Sequence, residues 1–270
     1  MTTPGPERCE VIVSTSFEMS GSGPDLLLLH GWASSHRLWQ RVIPGLTSHF
    51  RCWALDLPGF GATPPVAAAG TLIESYSAWL ADFCAEHGIE HCGVVGHSMG
   101  GALTLQFAAD QPKRVRALAA INPVVTGRLV LNILDVLPNR PGWMHGSQAL
   151  SKRVVGPLAA APLPETVRAA LWPLQRRIED FVQADEPMLL DTWDLLTGFD
   201  IRPRLATVEA PALVVLGSLD MNVPNSEGLS AVAALPNARV IRFTAGHTIM
   251  DLYPRVVAQA LADYFLAHLS

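Results

Sequence analysis

The sequence lacks several features that would point to a membrane or nucleic-acid protein. No apolar run reaches the roughly 18 residues of a membrane-spanning helix, although 49% of the residues are hydrophobic. There are 19 Lys and Arg against 24 Asp and Glu, for a net charge of -5. Because phosphate binding needs a basic face, nucleic acid is not expected as the main partner. The N-terminal stretch MTTPGPERCE contains no apolar signal-like segment, so we expect a cytoplasmic protein that does not associate with membranes.

Cysteine is also scarce. The four cysteines form no C-x-x-C pair and show no regular spacing, so the sequence indicates neither a zinc site nor a disulfide framework. We expect reduced, partly buried thiols at Cys9, Cys52, Cys84 and Cys92.

Apolar runs alternate with amphipathic segments along most of the chain. Strands are predicted at 9–17, 25–30, 50–56, 91–96, 115–121, 212–217 and 239–243, and helices at 72–88, 101–112 and 252–269. Several of the strands are continuous apolar runs, as in strands covered on both faces. The pattern predicts an α/β fold: a mostly parallel sheet with helices on both faces and the active site at the carboxyl ends of its strands.

One region interrupts this alternation. Between about residues 124 and 204 the chain has eight prolines, three of its seven tryptophans and short helical patterns without a clear strand. Long insertions at strand ends usually build a lid or a binding surface. We therefore predict an α/β core from 1–123 and 205–270, with an inserted helical cap, or lid, from 124–204.

A serine stands between two glycines where a predicted strand meets a predicted helix. Residues 96–100 read Gly-His-Ser-Met-Gly and match the pattern G-x-S-x-G. The tight turn that exposes such a serine leaves no room for side chains two residues to either side. We predict that Ser98 is a nucleophile. The alternative is that the glycines only allow the strand and the helix to pack closely.

A serine hydroxyl needs a base to take its proton and an acid to orient that base. His247 is the candidate base, because it follows a predicted strand end and a glycine at the sheet edge that carries Ser98. Asp220, three residues beyond the strand 212–217, is the candidate acid. The chain order Ser98, Asp220, His247 is the order expected for a catalytic triad in this architecture.

Other polar residues have alternative roles. Asn122 occupies the other common position of the acid and cannot carry a charge, which favours Asp220. Asp251 lies at a predicted helix start, where capping is the usual role. In the cap, His145 would either meet the substrate or be solvated.

The loop that follows an early strand usually supplies one donor for the oxyanion of an acyl-transfer intermediate. Residues 26–35, LLLLHGWASS, fit this description. We assign the backbone N–H groups of Trp32 and Met99 to the predicted oxyanion hole. The alternative for HGW is a tight turn without catalytic role.

Five motifs occur together in a fixed order: HGW at 30–32, DLPGFGAT at 56–63, GHSMGG at 96–101, GSLD at 217–220 and GH at 246–247. They resemble the α/β-hydrolase superfamily along essentially the whole chain except the cap. HGW and the small helical cap are most similar to the carboxylesterases related to pimeloyl-[acyl-carrier-protein] methyl ester esterase. Ser98 sets the chain apart from relatives that use an aspartate nucleophile, such as haloalkane dehalogenases and epoxide hydrolases.

The triad and the resemblance together imply a carboxylic-ester or thioester hydrolase for a small to medium acyl substrate, without metal or organic cofactor. The alternatives are a non-hydrolytic enzyme of a biosynthetic pathway (a lyase, cyclase or cofactor-free perhydrolase) and a ligand-binding receptor with a vestigial triad. The expected pocket combines Trp32, Met99 and Met221 with the cap residues Trp143, Met144, Trp172 and Phe199. For each of those cap residues, burial in the core of the cap is the alternative.

The cap also carries an excess of positive charge. Residues 126–180 contain seven Lys and Arg against four Asp and Glu. The basic residues are Arg128, Arg140, Lys152, Arg153, Arg168, Arg176 and Arg177. An acidic acyl carrier protein would fit such a face. The alternative is that these charges only keep the cap soluble.

Overall fold

The computed structural model describes residues 14–66, 71–130 and 137–269, which form a seven-stranded sheet. Its strands are β1 (Phe17–Ser20), β2 (Asp25–Leu29), β3 (Arg51–Leu55), β4 (Cys92–His97), β5 (Val115–Ile121), β6 (Ala212–Gly217) and β7 (Ala238–Phe243). They lie in the order β1-β3-β2-β4-β5-β6-β7. β1 is antiparallel to β3, and the other neighbouring pairs are parallel. The predicted α/β class with a mostly parallel sheet is confirmed.

Helices lie between the strands and after the last one, including those predicted at 72–88, 101–112 and 252–269. They are α1 (Leu72–Glu86), α2 (Met99–Asp110), α3 (Arg140–Ala160), α4 (Glu165–Gln183), α5 (Glu186–Gly198), α6 (Arg202–Leu205), α7 (Asn225–Ala234), α8 (Ile249–Leu252) and α9 (Pro254–Leu269). None of the helices in the described ranges is long and apolar enough to cross a bilayer.

The core has two layers, one on each face of the sheet. Leu27 and Leu29 of β2 pack with α1, α2 and α7 in one apolar cluster. Leu26 and Leu28 belong to a second cluster with α9. Successive side chains of a strand point to opposite faces, so the all-leucine run is buried on both sides.

The predicted strands agree with β2 to β7 to within one residue at each end. The prediction of a first strand at 9–17 is wrong for residues 14–16, and residues 9–13 lie outside the described part of the chain. β1 begins only at Phe17, opposite Leu55, the last residue of β3. Ser16 lies beyond that end and donates its backbone N–H to the Thr63 hydroxyl at 2.8 Å.

In the described residues between β5 and β6 lie four helices, α3 to α6, and α3 packs against α4 and α5. The two ends of this region meet where the N–H of Ile201 donates to the carbonyl of Val125 at 3.0 Å. Its division from the core as a separate cap over 124–204 stays a prediction.

Candidate active site

The turn from β4 to α2 holds Ser98 in a strained backbone conformation. Its φ is 55° and its ψ is -112°, a region that non-glycine residues rarely adopt. A Cβ on Gly96 would overlap the carbonyl of Gly100, and a Cβ on Gly100 would overlap the carbonyl of His30. The glycines are therefore required by close backbone contacts, as the motif predicts.

Asp220 and His247 lie beyond the ends of β6 and β7 and are hydrogen-bonded to each other. The distance from His247 Nδ1 to Asp220 Oδ2 is 2.7 Å. Asp220 Oδ1 accepts from the backbone N–H groups of Asn222 at 2.8 Å and Val223 at 3.0 Å. The Nδ1 side of the ring is thus held against the carboxylate, and Nε2 is the ring nitrogen that remains for another partner. A general base of this kind needs such a ring orientation.

Ser98 and His247 line the same cavity, of about 550 Å³. Its wall also includes Trp32, Phe181 and Trp193. The structure thus brings the three predicted triad residues together: Asp220 is hydrogen-bonded to His247, and His247 lines the cavity that Ser98 also lines. Their catalytic roles stay predictions.

The loop after β2 packs directly against Ser98. A Cβ on Gly31 would lie 3.2 Å from Ser98 Cβ. Trp32 lines the cavity, and its indole N–H donates to the carbonyl of Leu189 at 3.0 Å, which fixes the ring. Met99 begins α2, so its N–H has no acceptor within the helix. This placement is compatible with the predicted oxyanion hole, which stays a prediction.

His30 supports this loop as a neutral side chain. The N–H of Leu57 donates to His30 Nε2 at 2.9 Å, so Nδ1 carries the proton that is donated to the carbonyl of Gly31 at 2.7 Å. Burial lowers the pKa of His30 to about 4. The imidazole therefore connects the loop after β2 to the loop after β3.

Two residues that the sequence did not assign to the site hold the backbone of His247. The carbonyl of His247 accepts from Asn122 Nδ2 at 2.7 Å and from His97 Nε2 at 2.9 Å. Burial, and also the neighbouring His247, lower the pKa of His97 well below its usual value. Asn122 occupies the other common position of the triad acid, so its place in the sequence could have marked it as part of the site. In the structure its contribution is hydrogen bonding.

The predicted pocket residues of the cap do not line the cavity, and neither do Met99 and Met221. Met99, Met144 and Phe199 are buried in the core, whereas Trp143 and Met221 are exposed. The ring of Trp172 lies under the guanidinium of Arg41, at 4.5 Å from its centroid. The cavity wall contains instead Leu129, Leu174, Ile178, Phe181, Trp193 and Leu196. Composition identified the apolar residues of this region but not the direction in which each one points.

Asp251 and His145 each lie beside a partner that the sequence did not predict. Asp251 does not cap a helix: its carboxylate pairs with the guanidinium of Arg176 at 3.2 Å. The N-terminal flanking residue of α8 is Thr248. His145 is solvated and lies 3.1 Å from a carboxylate oxygen of Glu186, away from the cavity.

A buried ion network ties α4 to the core beside the cavity. Arg176 and Asp180 have fully buried side chains and pair at 3.0 Å. The same guanidinium donates to Ser34 Oγ at 3.1 Å, and Ser35 donates to Asp180 at 2.8 Å. Burial raises the pKa of Asp180 despite these hydrogen bonds. The network joins α4 to the loop after β2 and, through Asp251, to α8.

Comparison with known proteins places this chain in a family. Residues 24–252 match the family described as alpha/beta hydrolase fold. A pimeloyl-[acyl-carrier protein] methyl ester esterase of Aeromonas hydrophila is 30% identical over 262 residues, covering 93% of this chain and 99% of that protein. The esterase of the same name from Yersinia enterocolitica is 29% identical over 255 residues, covering 89% of this chain and 92% of that protein.

A solved structure shows the same fold. The enol-lactonase from Burkholderia xenovorans has a TM-score of 0.77 at 20% identity, covering 93% of this chain and 96% of that one. The names of the two sequence relatives agree with the enzyme class that the sequence predicts, ester hydrolase. With its sheet order, its tight turn at Ser98 and the family match over most of its length, the chain belongs to the α/β-hydrolase family.

Proposed function

We propose that this protein is a serine hydrolase that cleaves a carboxylic ester or thioester of a small to medium acyl substrate. The observation that supports this most strongly is the hydrogen bond of 2.7 Å between His247 Nδ1 and Asp220 Oδ2, with His247 and Ser98 on one cavity. An imidazole held in this way is oriented to activate a serine hydroxyl.

The proposed reaction has two halves. His247 Nε2 takes the proton of Ser98 as the hydroxyl attacks the acyl carbon, and then returns it to the leaving alcohol or thiol. Water, activated by the same histidine, releases the acid from the acyl-enzyme. The N–H groups of Trp32 and Met99 stabilise the oxyanion of each tetrahedral intermediate, each by on the order of 100- to 1000-fold in turnover. No step requires a metal or an organic cofactor.

We also propose that the region 124–204 acts as the cap of this site. Leu174, Ile178, Phe181, Trp193 and Leu196, from α4 and α5, supply much of its apolar wall. A volume of about 550 Å³ lies within the usual range of small-molecule pockets. Its lining suits an acyl chain of medium length.

An acyl carrier protein is a proposed carrier of the substrate. The relatives from Aeromonas and Yersinia are named for a pimeloyl-[acyl-carrier protein] methyl ester. The predicted basic face is smaller than its sequence suggests, because Arg176 is buried in ion pairs and Arg140 pairs with Asp194 at 2.7 Å. The exposed members are Arg128, Lys152, Arg153, Arg168 and Arg177. Their charge would attract the acidic surface of a carrier protein.

Hydrolysis of a series of p-nitrophenyl esters, from acetyl to dodecanoyl, tests the proposed reaction. We expect turnover with an optimum of chain length, and loss of that turnover in Ser98→Ala while the protein remains folded. If the folded wild-type protein hydrolyses no member of the series, a non-hydrolytic reaction in the same cavity replaces this proposal. Saturable binding without turnover would instead favour a receptor.

A further inference from the structure

We propose that the acyl chain of the natural ester carries a second, ionised carboxyl group, and that Arg177 binds it. This inference rests on the proposed ester hydrolysis and specifies the substrate of that site. The ester group would meet Ser98, and the carboxylate would lie at the cap side of the cavity. Hydrolysis adds water across the acyl–oxygen bond of an ester, or the acyl–sulfur bond of a carrier-bound thioester, and releases the alcohol or thiol and a dicarboxylate.

The charge of the cavity wall supports an anionic substrate. Two arginines, Arg176 and Arg177, line the cavity, and no Asp or Glu is among its lining residues in the described part of the chain. The whole chain, by contrast, has a net charge of -5. A cavity lined by one sign of charge attracts ligands of the opposite sign.

The two arginines have different roles. Arg176 is fully buried, and two carboxylates, those of Asp180 at 3.0 Å and Asp251 at 3.2 Å, compensate its charge. Its Nε–H has no hydrogen-bond partner in the described residues, so one donor stays unused in the cavity wall. Arg176 therefore anchors α4 and adds little net charge.

Arg177 supplies the uncompensated charge. Its side chain is exposed, lines the cavity and forms no ion pair with a carboxylate of the described residues. Because the buried network of Arg176 fixes α4, the backbone that carries Arg177 is fixed as well. A guanidinium presents parallel N–H donors that match the two oxygens of a carboxylate.

Apolar side chains line the cavity beside Arg177. Leu174, Ile178 and Phe181 lie on α4 with Arg177, and Trp193 and Leu196 lie on α5. A chain of methylene groups is compatible with this surface, whereas a polar linker would lose its hydrogen bonds to water. The structure thus fits a linear acyl chain that is apolar in the middle and charged at its far end.

Paired substrates test this inference. The kcat and KM of the wild-type protein, Arg177→Gln and Arg255→Gln are measured with monomethyl adipate and monomethyl suberate, and with the neutral methyl hexanoate and methyl octanoate. Arg255→Gln is the charge-matched control, because Arg255 is an exposed arginine of α9 that does not line the cavity. Thermal unfolding of each variant confirms that it is folded.

We expect the wild-type protein to prefer the half-esters, and Arg177→Gln to lower kcat/KM for them about 3- to 10-fold, mainly through KM. Neutral esters should be unaffected, the control should behave as wild type, and Arg177→Lys should retain part of the preference. Added salt should weaken the preference, because the charge is exposed.

Two different failures are distinguishable. If Ser98-dependent hydrolysis of the neutral esters occurs but Arg177→Gln leaves the half-ester to neutral-ester ratio unchanged, the inference is wrong and the proposed function stands. If the wild-type protein hydrolyses none of the esters, the proposed function fails, and the inference fails with it.

Discussion

The side-chain amide of Asn122 donates a hydrogen bond of 2.7 Å to the backbone carbonyl of His247. Its oxygen accepts from the N–H of Gly217, also at 2.7 Å. One buried side chain therefore connects the ends of β5 and β6 to the loop that carries the proposed general base. An amide can make both hydrogen bonds, because it donates and accepts. An ionised carboxylate only accepts and could not donate to the carbonyl of His247.

Asn122→Ala tests this connection. The change leaves the buried N–H of Gly217 without its acceptor and should destabilise the fold by about 1–3 kcal/mol. Because His247 loses an anchor, kcat should also fall while KM changes little. Asn122→Asp keeps the acceptor for Gly217 but removes the donor to His247, so its effect should fall mainly on kcat. Steady-state kinetics and thermal unfolding measure both, and the exposed Asn237→Ala is the control. An unchanged kcat in both Asn122 variants would contradict this positioning role.

Asp220→Asn should lower kcat by about 1000- to 10,000-fold, because the amide no longer selects the imidazole tautomer that acts as a base. The fold should persist, since the side-chain oxygen still accepts from the N–H groups of Asn222 and Val223. Steady-state ester hydrolysis measures the effect, with the exposed Asp263→Asn as the charge-matched control. A loss of less than tenfold would show that another acid orients His247.

Gly96, in the turn before Ser98, and Gly146, in α3, should respond in opposite directions to substitution by alanine. In Gly96→Ala the new Cβ would overlap the carbonyl of Gly100, so both stability and activity should fall. In Gly146→Ala, within α3, no atom lies within 4 Å of the new Cβ, and the helix should gain about 0.5–1 kcal/mol. Thermal unfolding compares the two. A tolerated Gly96→Ala would mean that the turn has a different geometry.

Stability should fall as the pH decreases from about 6.5 towards 4. His30 is buried with a pKa of about 4, against 6.5 for an ordinary histidine, so in this range the unfolded chain binds a proton that the folded protein does not. The stabilisation is present above the unfolded pKa and is lost as the pH falls through the folded one, by roughly 3 kcal/mol at the acid end. His97, whose pKa burial also lowers, acts in the same direction.

His30→Gln isolates this contribution. Glutamine has both an acceptor for the N–H of Leu57 and a donor for the carbonyl of Gly31 but does not titrate. The decrease in unfolding temperature between pH 7 and pH 4.5 should therefore be smaller in His30→Gln than in wild type. His49→Gln, at an exposed histidine, should keep the wild-type slope. Equal slopes in all three proteins would contradict a neutral, buried His30.

Local steric rules explain which parts of the site the sequence could predict. Gly96 and Gly100 are fixed by contacts within a few residues of Ser98, and the positions of Asp220 and His247 follow from the strands that precede them. Parallel strands bring their carboxyl ends to one edge of a sheet. The order of strands and motifs along the sequence was therefore enough to predict that Ser98, Asp220 and His247 lie close together.

The remaining features depend on contacts that no local pattern encodes. Asp251 pairs with Arg176, a residue 75 positions away. The cap residues Met144 and Trp143 are neighbours in α3, yet one is buried and the other is exposed. Composition identifies the apolar residues of such a helix, but only the packing of α3 to α5 decides which of them reach the cavity.

The most direct test of the central claim is the covalent acyl-enzyme. The protein is mixed with a p-nitrophenyl ester, quenched in acid during turnover and digested, and the peptides are analysed by mass spectrometry. The proposed mechanism predicts the acyl group on Ser98, its absence in Ser98→Ala, and a loss of several orders of magnitude of turnover in that variant and in His247→Ala. Continued hydrolysis by Ser98→Ala, or turnover by the wild type with the acyl group on another residue, would contradict it.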